Sequence, residues 1–320
     1  MNKVFPFVSA LFYCGLLLLA PAMIYAQQTS SEKKIINRGR TVAANPAVTV
    51  TIDAQQDDIK VYGWEFNEVQ AVTALRTILD LRRADKTETN VPATNLQVIA
   101  DRREGAVSVY VPRGATVKIQ LGQGNVSVED VADAHIVAKF GNINLQRISK
   151  SVNAATPTLG DIFLKDSTGM INLRVQSGTI RLSDVRPDNK DDSVKLNATS
   201  GNFELERVSH TRIEAETTSG NISWIGPLTK GTNCNFKTVT GNVTLRLPKD
   251  SSFRFVVTVG EHGRFYSEFP LDVRKEVINP GSQRFTGKSG DGESTFFLAS
   301  FNGQVRLRVK AEDKKNNSPH

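Results

Sequence analysis

Apolar and polar residues alternate with a period of two along much of the chain, and glycine interrupts the alternation at regular intervals. Counting back one, three, five and seven residues from Gly201 gives Ser200, Ala198, Leu196 and Val194, and from Gly220 it gives Ser219, Thr217, Ala215 and Ile213. The same steps give Thr240, Thr238, Phe236 and Cys234 before Gly241, and Ser177, Val175, Leu173 and Ile171 before Gly178. Between them lie Arg174, Lys195, Glu214, Glu216 and Lys237. Such alternation predicts β-strands with one face turned inward, carrying all four counted positions, and one face turned to water.

After each glycine comes a second short alternating run, usually opened by Asn or Asp. The phrase occurs at Gly124, Gly141, Gly160, Gly178, Gly201, Gly220, Gly241 and Gly303, as in Gly141-Asn-Ile-Asn-Leu145. From Gly124 to Gly241 the intervals are 17, 19, 18, 23, 19 and 21 residues. The longest interval holds Pro187-Asp-Asn-Lys-Asp-Asp192, which reads as a loop bulging from the wall. A repeat of this period predicts an all-β fold, a single-stranded parallel β-solenoid (β-helix) of about 18–20 residues per coil. No single unit can bury its apolar row, whereas stacked units about 4.8 Å apart bury it between coils. The handedness rule for parallel crossovers favours a right-handed coil. The glycines suit corners, and Asn125, Asn142, Asn202, Asn221 and Asn242 beside them suit a hydrogen-bonded structural ladder. A calcium stripe would need a denser Gly and Asp pattern than this one.

The ends differ. Residues 1–26 read as a signal peptide, with Lys3, an apolar run centred on Leu16–Leu19 and a small residue, Ala26, at the cut. Its cleavage leaves no transmembrane anchor and places the mature chain in the periplasm or outside the cell. It also removes Cys14, so Cys234 remains without a disulfide partner. Residues 27–44 read as a flexible linker, 45–116 as a β-rich cap, 117–310 as the solenoid and 311–320 as a disordered tail. Within the cap, 76–88 fits either a short helix or a hairpin. Asn279 to Gly292 reads as a loop, and Gly263-Arg-Phe265 as a degenerate corner.

Composition changes this picture little. The 320 residues are 39% hydrophobic and 23% charged, which excludes wholesale disorder. The net charge of +7 comes from interspersed signs, so a nucleic-acid partner is not expected.

The serial order of the pieces resembles the bacterial exported putative-adhesin family, a β-solenoid domain of unknown function. The resemblance is carried by Ile59-Lys-Val-Tyr-Gly-Trp64, Val109-Tyr-Val-Pro112 leading into Val117-Lys-Ile119, and the Ser/Thr-Gly-Asn repeats. Leu245-Arg-Leu-Pro248 before Phe253-Arg-Phe255 and Phe296-Phe-Leu-Ala-Ser300 before Gly303 complete it, over about residues 48–310. It implies the fold and a surface or periplasmic setting, and brings no catalytic residue. The charged stretch near 76–88 departs from the family pattern.

Candidate chemistry is sparse. His135, His210, His262 and His320 lack zinc-site spacing, and Cys234 falls in the inward series as a core residue. No metal, cofactor or catalytic residue is assigned. Glu204, Glu214 and Glu216, with Arg174, Arg181 and Lys195 nearby, form the best set for a carbohydrate-active enzyme, a lyase or hydrolase, on this scaffold. Arg76, Arg82, Arg83, Lys86, Arg102, Arg103 and Arg113 form the best set for polyanion binding, interleaved with acids. The reading preferred over both is a non-catalytic, adhesin-like scaffold or binding surface at the bacterial cell envelope, presenting its walls to an envelope glycan or protein.

Overall fold

A computed structural model describes residues 40–73, 78–84, 91–101, 106–279 and 281–310. The predicted signal peptide and tail lie outside the described residues. Among the described residues there are 24 strands and no helix.

In chain order the strands open with β1 (Arg40–Gln56), β2 (Asp58–Trp64), β3 (Glu68–Thr73), β4 (Ile78–Arg83), β5 (Ala93–Asp101) and β6 (Ala106–Pro112). The repeats follow as β7 (Thr116–Gln123), β8 (Val126–Glu129), β9 (Asp133–Phe140), β10 (Ile143–Gln146), β11 (Ser151–Thr156) and β12 (Ile162–Lys165). Next come β13 (Met170–Val185), β14 (Ser193–Val208), β15 (Arg212–Ser219), β16 (Ile222–Ile225), β17 (Asn233–Thr240) and β18 (Val243–Leu247). The last six are β19 (Phe253–Gly260), β20 (Arg264–Ser267), β21 (Asp272–Asn279), β22 (Ser282–Ser289), β23 (Ser294–Asn302) and β24 (Gln304–Val309).

They form two parallel walls. The first runs β5, β1, β7, β9, β11, β13, β14, β15, β17, β23, β19. The second runs β6, β2, β8, β10, β12, β13, β14, β16, β18, β24, β20. The fold is a β-solenoid. Inward side chains of both walls form one buried cluster, from Ala44 to Leu307. Its N-terminal half is Val, Ile, Leu and Ala. The C-terminal half holds Phe203, Trp224, Phe236, Phe253, Phe255 and Phe296, with Trp224 edge-on to Phe236 and Phe296.

Several boundaries differ from the sequence reading. The expected linker 27–44 overlaps β1, because Arg40–Ala43 pairs antiparallel with β3. The parallel stack also begins before residue 117: β1 and β2 already pair in parallel with β7 and β8. Within the undecided stretch 76–88, Ile78–Arg83 is a strand hairpinned antiparallel on β5, and the rest falls partly outside the described residues. Ser282–Ser289 is a strand rather than loop, because β19 and β21 flank it on both edges.

Chain order and stacking order part at both ends. β5 and β6 sit outside β1 and β2, and β23 and β24 sit between the rung of β17 and β18 and the rung of β19 and β20. Gly241 and Gly303, 62 residues apart in sequence, are therefore neighbours in the stack, where Gly241 donates its N–H to the Asn302 carbonyl at 3.2 Å. The inward series also stops one position short of the corners at Gly220 and Gly241, and sooner at Gly201, where Ala198 is only half-buried. Val194, Leu196, Ile213, Ala215, Thr217, Cys234, Phe236 and Thr238 are buried, while Ser200, Ser219 and Thr240 are exposed. The chain has begun to bend there, and a hydroxyl can face water at no cost.

Candidate functional site

Two backbone corners recur along the stack and fix where side chains can face a ligand. At the first, Gly124, Gly141, Gly160, Gly178, Gly220 and Gly241 have positive φ. Gly201 is not among them, and there β13 and β14 pair in parallel through the corner from Ser177↔Ser200 to Thr179↔Asn202. Beside this column runs a row of side-chain acceptors. Asn125, Asn142 and Asp161 donate their backbone N–H groups to the Oδ1 of Asp58, Asn125 and Asn142 at 2.8, 3.0 and 2.9 Å. Thr179 follows, donating to Asp161 Oδ1 at 2.6 Å. The row resumes with Asn221 on Asn202, Asn242 on Asn221 and Gln304 on Asn242, at 2.8, 2.9 and 3.0 Å. The interruption falls at Thr179, whose short side chain has no carbonyl to offer the next rung.

The second corner escaped the sequence reading. Asp130, Arg147, Asp166, Asp184 and Arg207 all have positive φ between 50° and 59°. Each lies six residues after a corner glycine, a fixed offset that is visible in the sequence. Their side chains pair between rungs. Arg147 grips Asp130 in two hydrogen bonds of 2.8 and 2.7 Å and reaches Glu129 at 2.9 Å. Arg207 grips Asp184 at 2.5 and 2.7 Å and also contacts Glu206. The Arg207 bonds, helped by Ser183, hold the Asp184 carboxyl down at about 2. Arg147 likewise lowers Asp130. These forks suit the strained turn: bidentate pairing offsets a left-handed backbone that non-glycine residues avoid.

The carboxylates singled out as candidate catalysts do not converge. Glu204 lies on the second wall and Glu214 and Glu216 on the first. Each faces a cation one rung away: Arg181 to Glu204 at 2.6 Å, Lys195 to Glu214 at 3.9 Å and Lys237 to Glu216 at 2.9 Å. Arg174 makes no ion pair with them. Glu216 and Lys237 do border an open cavity of about 480 Å³ with Thr217, Val239, Val259 and Phe301. The cavity brings one carboxylate, already neutralised, and no second acid.

The other candidates are dispersed. Cys234 is fully buried and burial pushes its thiol well up, away from a reactive thiolate. Of the N-terminal basic set, Arg82 bonds Gln97, Arg83 bonds the Val91 carbonyl and Arg113 pairs with Glu65 at 3.1 Å. Arg76, Lys86, Arg102 and Arg103 lie outside the described residues. Among the described residues no group of three His, Cys, Asp or Glu could hold a metal, and no helix is long and apolar enough to cross a membrane.

His210 is a buried group of another kind. Its Nε2–H donates to the Gly169 carbonyl at 2.8 Å, tying the turn after β14 to the one before β13. Burial lowers its pKa, against smaller upward effects of the Gly169 bond and Asp192. The unfolded chain therefore takes up the proton first. Stability from His210 is complete above about pH 6.5 and declines as pH falls below it. The urea midpoint should drop between pH 7 and 5, and His210→Gln should flatten that slope even where it lowers the midpoint throughout. An unchanged slope would remove His210 as the cause.

Residues 41–308 match the Toastrack DUF4097 family, and the chain belongs to that family. Comparison with curated proteins finds none similar in sequence. Two solved structures are similar to this chain. One is a putative cell adhesion protein from Clostridium sporogenes, at 10% identity and a TM-score of 0.24, covering 85% of this chain and 99% of that one. The other is a putative adhesin from Bacteroides fragilis, at 12% identity and a TM-score of 0.32, covering 84% and 95%.

Proposed function

We propose that the chain is an exported, non-catalytic β-solenoid that serves as an adhesin-like binding surface at the bacterial cell envelope. The observation that carries this reading is the pairing of Glu204, Glu214 and Glu216 with cations across rungs, on two different walls. A glycoside-cleaving site needs two carboxyl groups flanking one bond, one of them kept protonated. Divided between two walls and each paired with its own Lys or Arg, these three do not bring two carboxyl groups to the two sides of one bond. What the walls do supply is a broad, rigid array of outward side chains at strand spacing, suited to a repetitive envelope glycan or to another protein. The Asn row, with its carboxamides bonded from rung to rung, holds the stack together in this reading and binds no ligand. Export rests on the leader pattern of residues 1–26.

Fractionation of cells making the tagged chain, with N-terminal sequencing of the product, tests the location. The expected product starts at Gln27 in the envelope or medium. Envelope fractions passed over it should yield a bound component, and Glu214→Gln/Glu216→Gln should leave that capture unchanged. A cytoplasmic, unprocessed chain, or a polysaccharide-cleaving activity abolished in the double variant, would overturn the proposal.

A further inference from the structure

The outward face of the second wall changes character at its C-terminal end. Over the central rungs its cations are compensated: Lys165 pairs with Asp166, Arg181 with Glu204, and Arg147 and Arg207 with the acids of the second corner. On the last three rungs the outward positions are Thr244 and Arg246 on β18, Gln304, Arg306 and Arg308 on β24, and Arg264 and Tyr266 on β20. Arg308 lies 3.9 Å from Glu268. The other three arginines meet neutral acceptors. Arg246 donates to Ser223 Oγ at 3.4 Å, Arg264 to the Tyr266 hydroxyl at 3.4 Å, and Arg306 to Gln304 Oε1. No ion pair engages Arg246, Arg264 or Arg306 among the described residues.

The register sets their arrangement. Arg306 is level with Thr244 and Tyr266, Arg246 with Arg308, and Arg264 with Gln304. Arg264, Arg306 and Arg246 thus step diagonally across three adjacent strands, each two residues further along. Diagonal neighbours on a sheet face stand roughly 7–8 Å apart. Each guanidinium has five donors and uses few of them here. Beside them Tyr266 turns a ring that is 46% exposed. Charge on an edge strand discourages sheet-to-sheet aggregation. That accounts for Arg264, whereas Arg306 and Arg246 lie one and two rungs inside the edge.

We infer that this diagonal of Arg246, Arg306 and Arg264 is a binding site for an acidic polysaccharide, with the guanidiniums taking its carboxylates and Tyr266 lying against a sugar face. The inference rests on the binding-surface reading above and names its ligand class. A row of fixed forks at regular spacing matches a polymer whose anionic groups recur regularly, and planar bidentate geometry favours carboxylate. The exposed tyrosine adds an apolar face for the sugar C–H edge.

The test is binding of the chain to polygalacturonate, with dextran of equal length, phosphatidylglycerol vesicles and a single-stranded oligonucleotide at the same ionic strength. The expected result is saturable binding to polygalacturonate that weakens as salt is added. Arg246→Ala/Arg264→Ala/Arg306→Ala should weaken it by about tenfold or more. Lys60→Ala/Lys118→Ala/Arg174→Ala removes the same charge from dispersed positions and should change binding less than twofold. Both triples alter outward side chains, and matching melting curves confirm that they fold. Absence of polygalacturonate binding, equal losses in the two triples, or binding to dextran, vesicles or oligonucleotide as tight as to the uronate polymer would overturn the site. If polygalacturonate fails while envelope capture succeeds, the site falls and the binding-surface reading stands.

Discussion

Ile213→Asp is expected to abolish the cooperative native state. Ile213 is fully buried near the start of β15, with Val194 of β14 on one side and Cys234 of β17 on the other. Removing the branched side chain from a packed row costs about 2–5 kcal/mol. Leaving a carboxylate between two rungs without a cation adds several kcal/mol more, or forces its protonation. Domains of this kind have about 5–15 kcal/mol in total, so the variant should be insoluble or melt without a transition. Glu214→Ala, one residue on, reverses the environment. That side chain is 56% exposed and 3.9 Å from Lys195, an arrangement worth about 0–1 kcal/mol. Circular-dichroism melts of the two variants read the difference directly. Equal losses would mean that β15 carries the opposite face inward.

The same phase shows how far the sequence could be read. The inward rows of β13 to β17 were legible because Leu, Ile, Phe and Cys alternate with Lys and Glu, and only one strand phase buries the first set. The corners were legible because glycine recurs with Asn beside it. The second corner was not, since Asp130, Arg147, Asp166, Asp184 and Arg207 share no residue type. Their common property is backbone conformation, and only the six-residue offset betrays it. The ends were misjudged for a different reason. Alternation tells which face a strand buries and nothing about which strand lies next to it. β23 and β24 fit between earlier rungs because Gly303 repeats the corner chemistry of Gly241, and a repeat looks the same whether its neighbour is 20 or 62 residues away. Ser282–Ser289 reads as loop because its residues show no apolar–polar alternation, and in the fold β22 is half-exposed along most of its length. The candidate acids were recognised as outward. Their separation onto two walls depends on which side of the corner each falls, Glu204 after Gly201 and Glu214 and Glu216 before Gly220.

A second large effect is expected at the first corner. Gly141→Ala should cost about 3–5 kcal/mol, against about 1 kcal/mol for Gly231→Ala. Both glycines have positive φ, 122° and 78°, so both substitutions strain the backbone. They differ in what the new methyl meets. At Gly231 nothing lies within 4 Å, whereas at Gly141 an added Cβ would stand 1.9 Å from the carbonyl oxygen of Gly124. That oxygen has little room to swing away, because its rung is bonded to the next on both sides of the corner. Gly124 donates to the Phe140 carbonyl at 3.0 Å, Val126 to the Asn142 carbonyl at 2.9 Å and Asn142 to the Asn125 side chain at 3.0 Å. Relief of the clash must spread the two rungs apart and weaken all three bonds at once. Urea midpoints of the two alanine variants measure the contrast. If Gly231→Ala proved as damaging as Gly141→Ala, torsional strain alone would explain the corner glycines. The close stacking of one corner on the next would then have no part in selecting them.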